Sequence, residues 1–255
     1  MQSNTEKAKQ TENEADFIKE TSFFKDDIHD NDKKAFLAEY QKASSDWKAF
    51  SCKYGKDMRM DCYQNTNGYY SPSDNKIHFN INNIKKESSY FGYKQNMITF
   101  FHEYGHWFDY NVLQNGKTIS QELTNLRDLL TQDALNYVNN FLTEKNLLKE
   151  AEYIKTFKRN SSKEKVLFLE ISRDIFKNKY ENSNISDIFE GVTGGKIVDG
   201  FGHGVEYWKR PLVLEKEAIA EMFETMATGG ARKEAMMKYF PNAYKYFKDY
   251  VRGLL

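Results

Sequence analysis

Residues 95–110 read QNMITFFHEYGHWFDY, and both the fold and the chemistry of the chain are read outward from this stretch. Ile98, Phe101, Gly105 and Phe108 recur at the 3.6-residue period, which predicts a helix over about 95–112 with that stripe turned inward. His102 and His106 are four residues apart, so a helix sets both imidazoles on one face, within reach of a single metal ion. Glu103 lies about 100° further round the axis. That makes it a poor third ligand but a good hydrogen-bond partner for a water on the metal, which is the general-base position. Gly105 lets another group approach the helix closely. Two ordinary histidines on an aromatic-rich helix would give the same letters, but the spacing together with the helical context favours the metal.

Before this helix the sequence predicts three kinds of chain. Residues 1–15 are polar and lack apolar periodicity, as expected of a flexible tail. From Asn31 to Lys53, Phe36, Leu37, Tyr40, Ala43, Trp47 and Phe50 recur at helical spacing, which predicts one packing helix with Asn31 or Asp32 as N-cap and Gly55 as its stop. At 67–83 the period changes to two. Ile77, Phe79 and Ile81 fall on one side and Lys76, His78 and Asn80 on the other, the pattern of a hairpin or an edge strand over 76–82.

Beyond residue 112 the pattern is mostly helical. Helices are expected over 118–182, with breaks near Gln132-Asp133, Thr143-Glu144 and Asn160-Ser161-Ser162. The glycine-dense run 193–204 reads as a loop or a short hairpin. A helix over Leu214–Ala227, stopped by Gly229-Gly230, and two short helical runs around Pro241 complete the chain. No repeat and no second domain boundary is visible. The expected organisation is therefore a single α+β domain over 16–255, with a small sheet, an active-site helix, a mostly helical C-terminal half and a helical insertion at about 115–185.

Composition narrows the function classes. The chain has 255 residues, and its 37 basic residues cancel its 37 acidic ones, so no overall field draws it to nucleic acid. The two cysteines, Cys52 and Cys62, are too few for a disulfide framework and read as ordinary thiols. The apolar runs at 96–101 and 165–171 are far shorter than the roughly 20 residues of a membrane span. The polar N-terminus lacks the apolar core of a Sec signal, which predicts a soluble protein that is cytoplasmic, phage-associated or exported by another route.

A catalytic zinc ion (Zn2+) needs a third protein ligand. His29, His78 and His203 are the remaining histidines, and the HExxHxxGxxH spacing is not met because position 112 is Val. Acidic residues are better placed. In LEKEAIAEMFETMA, Glu217 and Glu221 share one helical face, while Ile219, Met222, Phe223 and Met226 form another. Two carboxylates at that spacing repel unless a cation or a donor compensates. Glu217 on the metal, with Glu221 accepting the far N–H of a ligating histidine, would relieve the repulsion. An exposed acidic stripe fits the same letters.

HEYGHWFD followed far downstream by EAIAEMF resembles the gluzincin metallopeptidases, and most closely the catalytic domains of the anthrax lethal factor type. RKEAMMKYFPNAYKYFKDYV resembles the closing helices of that family. SDIFEGVTGGKIVDGFGHGVEYWKR and GYYSPSDNKIHFN are similar to metallopeptidase-like domains of phage minor head proteins and related mobile-element toxins. These likenesses span roughly residues 60–255, apart from 115–185. They imply a zincin-like fold, with His102, His106 and Glu217 as zinc ligands, Glu103 as the base and Glu221 behind the ligands. They further imply Tyr207 as the oxyanion donor, with His203 as a second donor. Tyr207 precedes Glu217 by ten residues, a longer spacing than in the lethal factor type, and packing of the Tyr207-Trp208 pair on the core would also explain it. Asp109 either orients a histidine or faces solvent.

The activity implied is a zinc-dependent endopeptidase whose metal-bound water is activated by Glu103, as a toxin or effector of a phage or mobile element. The expected partner is a protein or peptide substrate lying along an edge strand. A metal-binding structural module without turnover, in a virion or secretion apparatus, and a protease cleaving an intracellular repressor are the alternatives.

Overall fold

The computed structural model describes residues 30–62, 68–81, 89–90, 93–147, 154–158, 162–178, 182–199 and 203–255. The expected tail at 1–15, His29 and the end of the expected strand at residue 82 lie outside them. The described chain is mixed α+β and mainly helical, with a three-stranded sheet. It divides into two compact units: residues up to Ile119 with Met226–Gly229 and Leu255, and Ser120–Thr225 with Gly230–Leu254. Among the described residues no helix is long and apolar enough to cross a membrane.

In the first unit, α1 (Asp30–Tyr40) and α2 (Ser45–Tyr54) replace the single helix expected from the apolar spacing. The break is chemical. Ser44 is extended at φ −60°, ψ 157°, and its Oγ accepts the Trp47 N–H at 3.2 Å as the N-cap of α2. Its own N–H and Oγ–H donate to the Ala227 and Met226 carbonyls at 3.0 and 2.6 Å. The periodicity runs through the break because both helices pack on the same aromatic wall. Gly55 closes α2 as expected.

Three strands follow: β1 (Arg59–Cys62), β2 (Tyr69–Ser71) and β3 (Lys76–Phe79). The sheet order is β1-β3-β2, with β3 parallel to β1 and antiparallel to β2. The strand expected as an edge is therefore the central one. Ile77, Phe79 and also the alternate residue His78 are buried, as in a strand covered on both faces. Among the described residues, β2 and β1 form the edges. A short ladder, β4 (Ser89–Tyr90) with β5 (Tyr93–Lys94), leads into α3 (Gln95–Asn111).

The core of this unit is a block of rings between α1, α2, β3 and α3. Phe36 meets Phe100 edge-on at 4.8 Å, and Trp47 meets Phe101, Tyr104 and Phe108 at 5.2–5.4 Å. Such pairs contribute about 0.5–1.5 kcal/mol each beyond the area they bury. Tyr40, Ser51 and Tyr104 satisfy their buried hydroxyls in a chain of 2.6 and 3.1 Å contacts. The buried face of α3 is Met97, Phe100, Phe101, Tyr104, Trp107 and Phe108, and Ile98, expected inside, is only half-buried.

The second unit contains only helices among its described elements. After α4 (Ile119–Glu122) come α5 (Leu126–Glu144), α6 (Ser162–Ile175), α7 (Ser183–Thr193), α8 (Val205–Trp208), α9 (Val213–Thr228), α10 (Gly230–Tyr239) and α11 (Pro241–Leu254). The break expected at Gln132-Asp133 is absent, because α5 runs straight through it. Asp133 serves another helix instead: its carboxylate accepts the Asn242 and Ala243 N–H groups at 2.9 and 3.0 Å, capping α11 just after Pro241. Gly191 of α7 is required by close packing, since a Cβ there would sit 2.8 Å from Leu214 and 2.9 Å from Trp208. Gly229, at φ +64°, stops α9 where the sequence predicts.

Candidate active site

His102, Glu103, His106 and Asp109 all stand on α3, which presents its aromatic face to the core and leaves the two histidines half-buried on the other side. The rings of His102 and His106 lie edge-to-face at 4.8 Å, the neighbourly arrangement that i and i+4 positions dictate. Glu103 is fixed from outside the helix: the Tyr70 backbone N–H donates to Glu103 Oε2 at 2.7 Å. Asp109, one turn beyond His106, is fully buried, so the solvent-facing alternative is excluded.

Tyr70 is itself held by a small polar network. Its hydroxyl donates to Asn75 Oδ1 at 2.9 Å, and the Asn111 side-chain amide donates to Asn75 Oδ1 at 2.9 Å, to the Tyr70 hydroxyl oxygen at 3.2 Å and to the Trp107 carbonyl at 2.9 Å. Burial pushes the Tyr70 hydroxyl up to about 12 against the opposing effect of the Asn111 hydrogen bond. Gly68, at φ +92°, lets β2 lie against α3, because a Cβ there would come within 3.0 Å of Thr99 Cγ2.

In the second unit, α9 is buried nearly all round, and Glu215, Glu217, Glu221 and Glu224 are all buried with it. An exposed acidic stripe is thereby excluded. Buried carboxylates need partners. Arg127 forks onto Glu215 with two 2.7 Å bonds, and Arg232 forks onto Glu224 while lying 3.8 Å from Glu221. Glu217 accepts the Tyr207 hydroxyl, so Tyr207 is not simply packed on the core.

His203 stacks on the Tyr207 ring at 4.1 Å, and its Nε2 lies 3.3 Å from Asp187 Oδ2. The Asp187 hydrogen bond raises the His203 pKa against partial burial, and burial followed by the Glu217 carboxylate raises that of the Tyr207 hydroxyl. Glu190 of α7 accepts the His203 and Gly204 N–H groups at 2.9 and 3.0 Å, one on each oxygen. Sequence reasoning missed Tyr70, Asn75, Asn111, Asp187 and Glu190. None carries a local signal, because each acts on a residue through the fold.

Two groups within single units place three possible ligand atoms inside 4.8 Å: Asp61, Asp74 and His78 in the first, and Asp187, His203 and Glu217 in the second. In the former, Lys76 lies 3.1 Å from Asp61 and His78 Nε2 lies 3.0 Å from Asp74 Oδ2. On α3, His102 and His106 offer two imidazole nitrogens, a donor type that zinc, copper, iron and nickel all accept. A scan against protein-family models and searches of curated proteins and of solved structures gave no match.

Proposed function

We propose that the chain is a zinc-dependent endopeptidase of gluzincin type, with His102, His106 and Glu217 as the metal ligands. The observation that carries this reading is the state of Glu103: beside two imidazoles at ligand spacing, its carboxylate is held in a fixed direction by a backbone donor. Zinc, when bound, supplies a Lewis acid that polarises the scissile carbonyl and acidifies water. Glu103 takes the proton of the attacking water and delivers it to the leaving amine. Tyr207 and His203 are the donors for the negative charge that develops on the carbonyl oxygen. Glu221 and Asp109, both buried carboxylates, orient the ligand side chains.

The substrate is a protein or peptide laid in extended form along β2, the edge strand beside Glu103. The likeness of the 186–210 run to mobile-element toxin domains supports a phage or mobile-element effector. The test is the zinc content of purified protein by elemental mass spectrometry, beside cleavage of denatured casein. One zinc per chain is expected, lost in His106→Ala and in Glu217→Ala. Glu103→Gln should keep the metal and lose the cleavage. Unchanged cleavage by zinc-loaded Glu103→Gln overturns the reading.

A further inference from the structure

Tyr69 opens β2 and is 45% exposed, yet its ring is held. It lies face to face with His78 of β3, the centroids 4.6 Å apart and the planes 22° from parallel. His78 is fixed in turn, being 5% exposed with its Nε2 3.0 Å from Asp74 Oδ2. Neighbouring strands lie about 4.8 Å apart, so the two rings stand as successive rungs of one ladder at the spacing of the sheet.

The backbone sets where a further rung falls. In an antiparallel ladder a residue turns both of its backbone groups to one side, and the sides alternate along the strand. The Tyr70 N–H goes to Glu103, away from β3, so the groups of Tyr69 turn inward to His78, its register partner. A strand added antiparallel to the outer edge of β2 therefore meets Tyr69 as a non-hydrogen-bonded pair, in which Cα atoms approach to about 4.5 Å and side chains are closest. The Tyr70 carbonyl, turned outward, is the acceptor that an N–H of such a strand takes.

We propose that Tyr69 selects the substrate: the residue of a bound peptide that falls opposite it is aromatic, and its ring stacks on the outer face of Tyr69 as the third rung after His78. The inference rests on the reading of β2 as the strand that receives the substrate. Aromatic pairs favour offset stacking at this separation, and a ring already held against His78 loses little freedom when a second ring covers it. An aliphatic side chain in the same place buries area on Tyr69 without the stacking contribution, which sets the preference for an aromatic residue at about threefold to tenfold.

The test uses the metal-free full chain and two blocked heptapeptides of alternating threonine and valine, one with phenylalanine at its centre and one with leucine, titrated by NMR. The phenylalanine peptide should bind about threefold to tenfold more tightly and move the Tyr69 ring resonances upfield. Tyr69→Phe should keep that preference and Tyr69→Ala should abolish it. Equal binding of the two peptides by wild type, a preference that persists in Tyr69→Ala, or Tyr69 ring resonances that neither peptide moves overturns the assignment. Cleavage of casein by zinc-loaded protein is scored separately, from the ends of the products by mass spectrometry. Cuts with no aromatic residue enriched at a fixed distance from the scissile bond overturn selection by Tyr69 and leave the peptidase reading standing. A stacking preference without cleavage removes the peptidase reading alone.

Discussion

The Asn111 side-chain amide donates to Asn75 Oδ1 at 2.9 Å, tying the β2–β3 turn to the last turn of the helix that carries both histidines. Asn75 occupies the left-handed region at φ +56°, which asparagine tolerates better than most residues, and its side chain is the acceptor shared with Tyr70. Asn111→Ala removes the donor from three acceptors at once. It should cost about 1–2 kcal/mol in urea unfolding, with Asn111→Asp at least as damaging because it sets a carboxylate against the Asn75 oxygen. A loss of under a few tenths of a kcal/mol would show that the network does not hold the turn.

Gly68 makes a second, steric prediction. Gly68→Ala faces both a positive φ and a 3.0 Å approach to Thr99 Cγ2, and should destabilise the first unit by about 1–2 kcal/mol or more. Adding Thr99→Ala should return the steric part and leave the backbone part. Equal stability of the single and double variants would mean that the contact with α3 contributes nothing.

The buried ion pair of the second unit predicts an asymmetry. Arg232 is 3% exposed and forks onto Glu224, which is 1% exposed, while its Nη1 also donates to Ser183. Arg232→Met leaves a carboxylate buried without its counter-charge and should cost about 3–5 kcal/mol. The Arg232→Met/Glu224→Gln pair should recover much of that loss. A double variant no better than the single one would place the cost in the packing of the Arg232 stem.

The His203–Asp187 contact sets a pH window in the metal-free chain. Its hydrogen bond raises the His203 pKa above the ordinary 6.5, so its contribution to stability is complete below about pH 6.5 and is lost as the pH rises through the folded value. In Asp187→Asn the His203 ring should titrate nearer 6.5, and this part of the pH dependence should flatten. NMR titration of the five histidine side chains reads this directly. An unchanged His203 titration would assign the shift to other groups.

The parts of the fold legible in the sequence are those decided within one element. The histidine helix, the helix before Gly229 and the start of α11 at Pro241 all stand where periodicity and caps place them. The errors arise where a residue serves something distant. Asp133 reads as a helix break because aspartate favours caps, and it is indeed a cap, but of a helix that starts 108 residues later. Ser44 interrupts an unbroken apolar period because its N–H and hydroxyl are claimed by the carbonyls of residues 226 and 227. β3 alternates like an edge strand, yet His78 is buried beneath the stacked Tyr69 ring and paired with Asp74, so its polar side is covered too.

At the candidate site the motif residues were legible and their supports were not. The spacing of His102, Glu103 and His106 announces itself, whereas the Tyr70 N–H that directs Glu103 is a backbone group with no letter of its own.

The aromatic wall behind α3 also furnishes an optical label. Of the three tryptophans, Trp47 and Trp107 belong to the first unit and Trp208 to the second, and all three are buried. Replacing Trp208 with Phe leaves indole emission reporting on the first unit alone, and replacing Trp47 and Trp107 leaves it reporting on the second. Emission from such variants, followed through a denaturant gradient, would tell whether the two halves of this chain melt in one transition or in two.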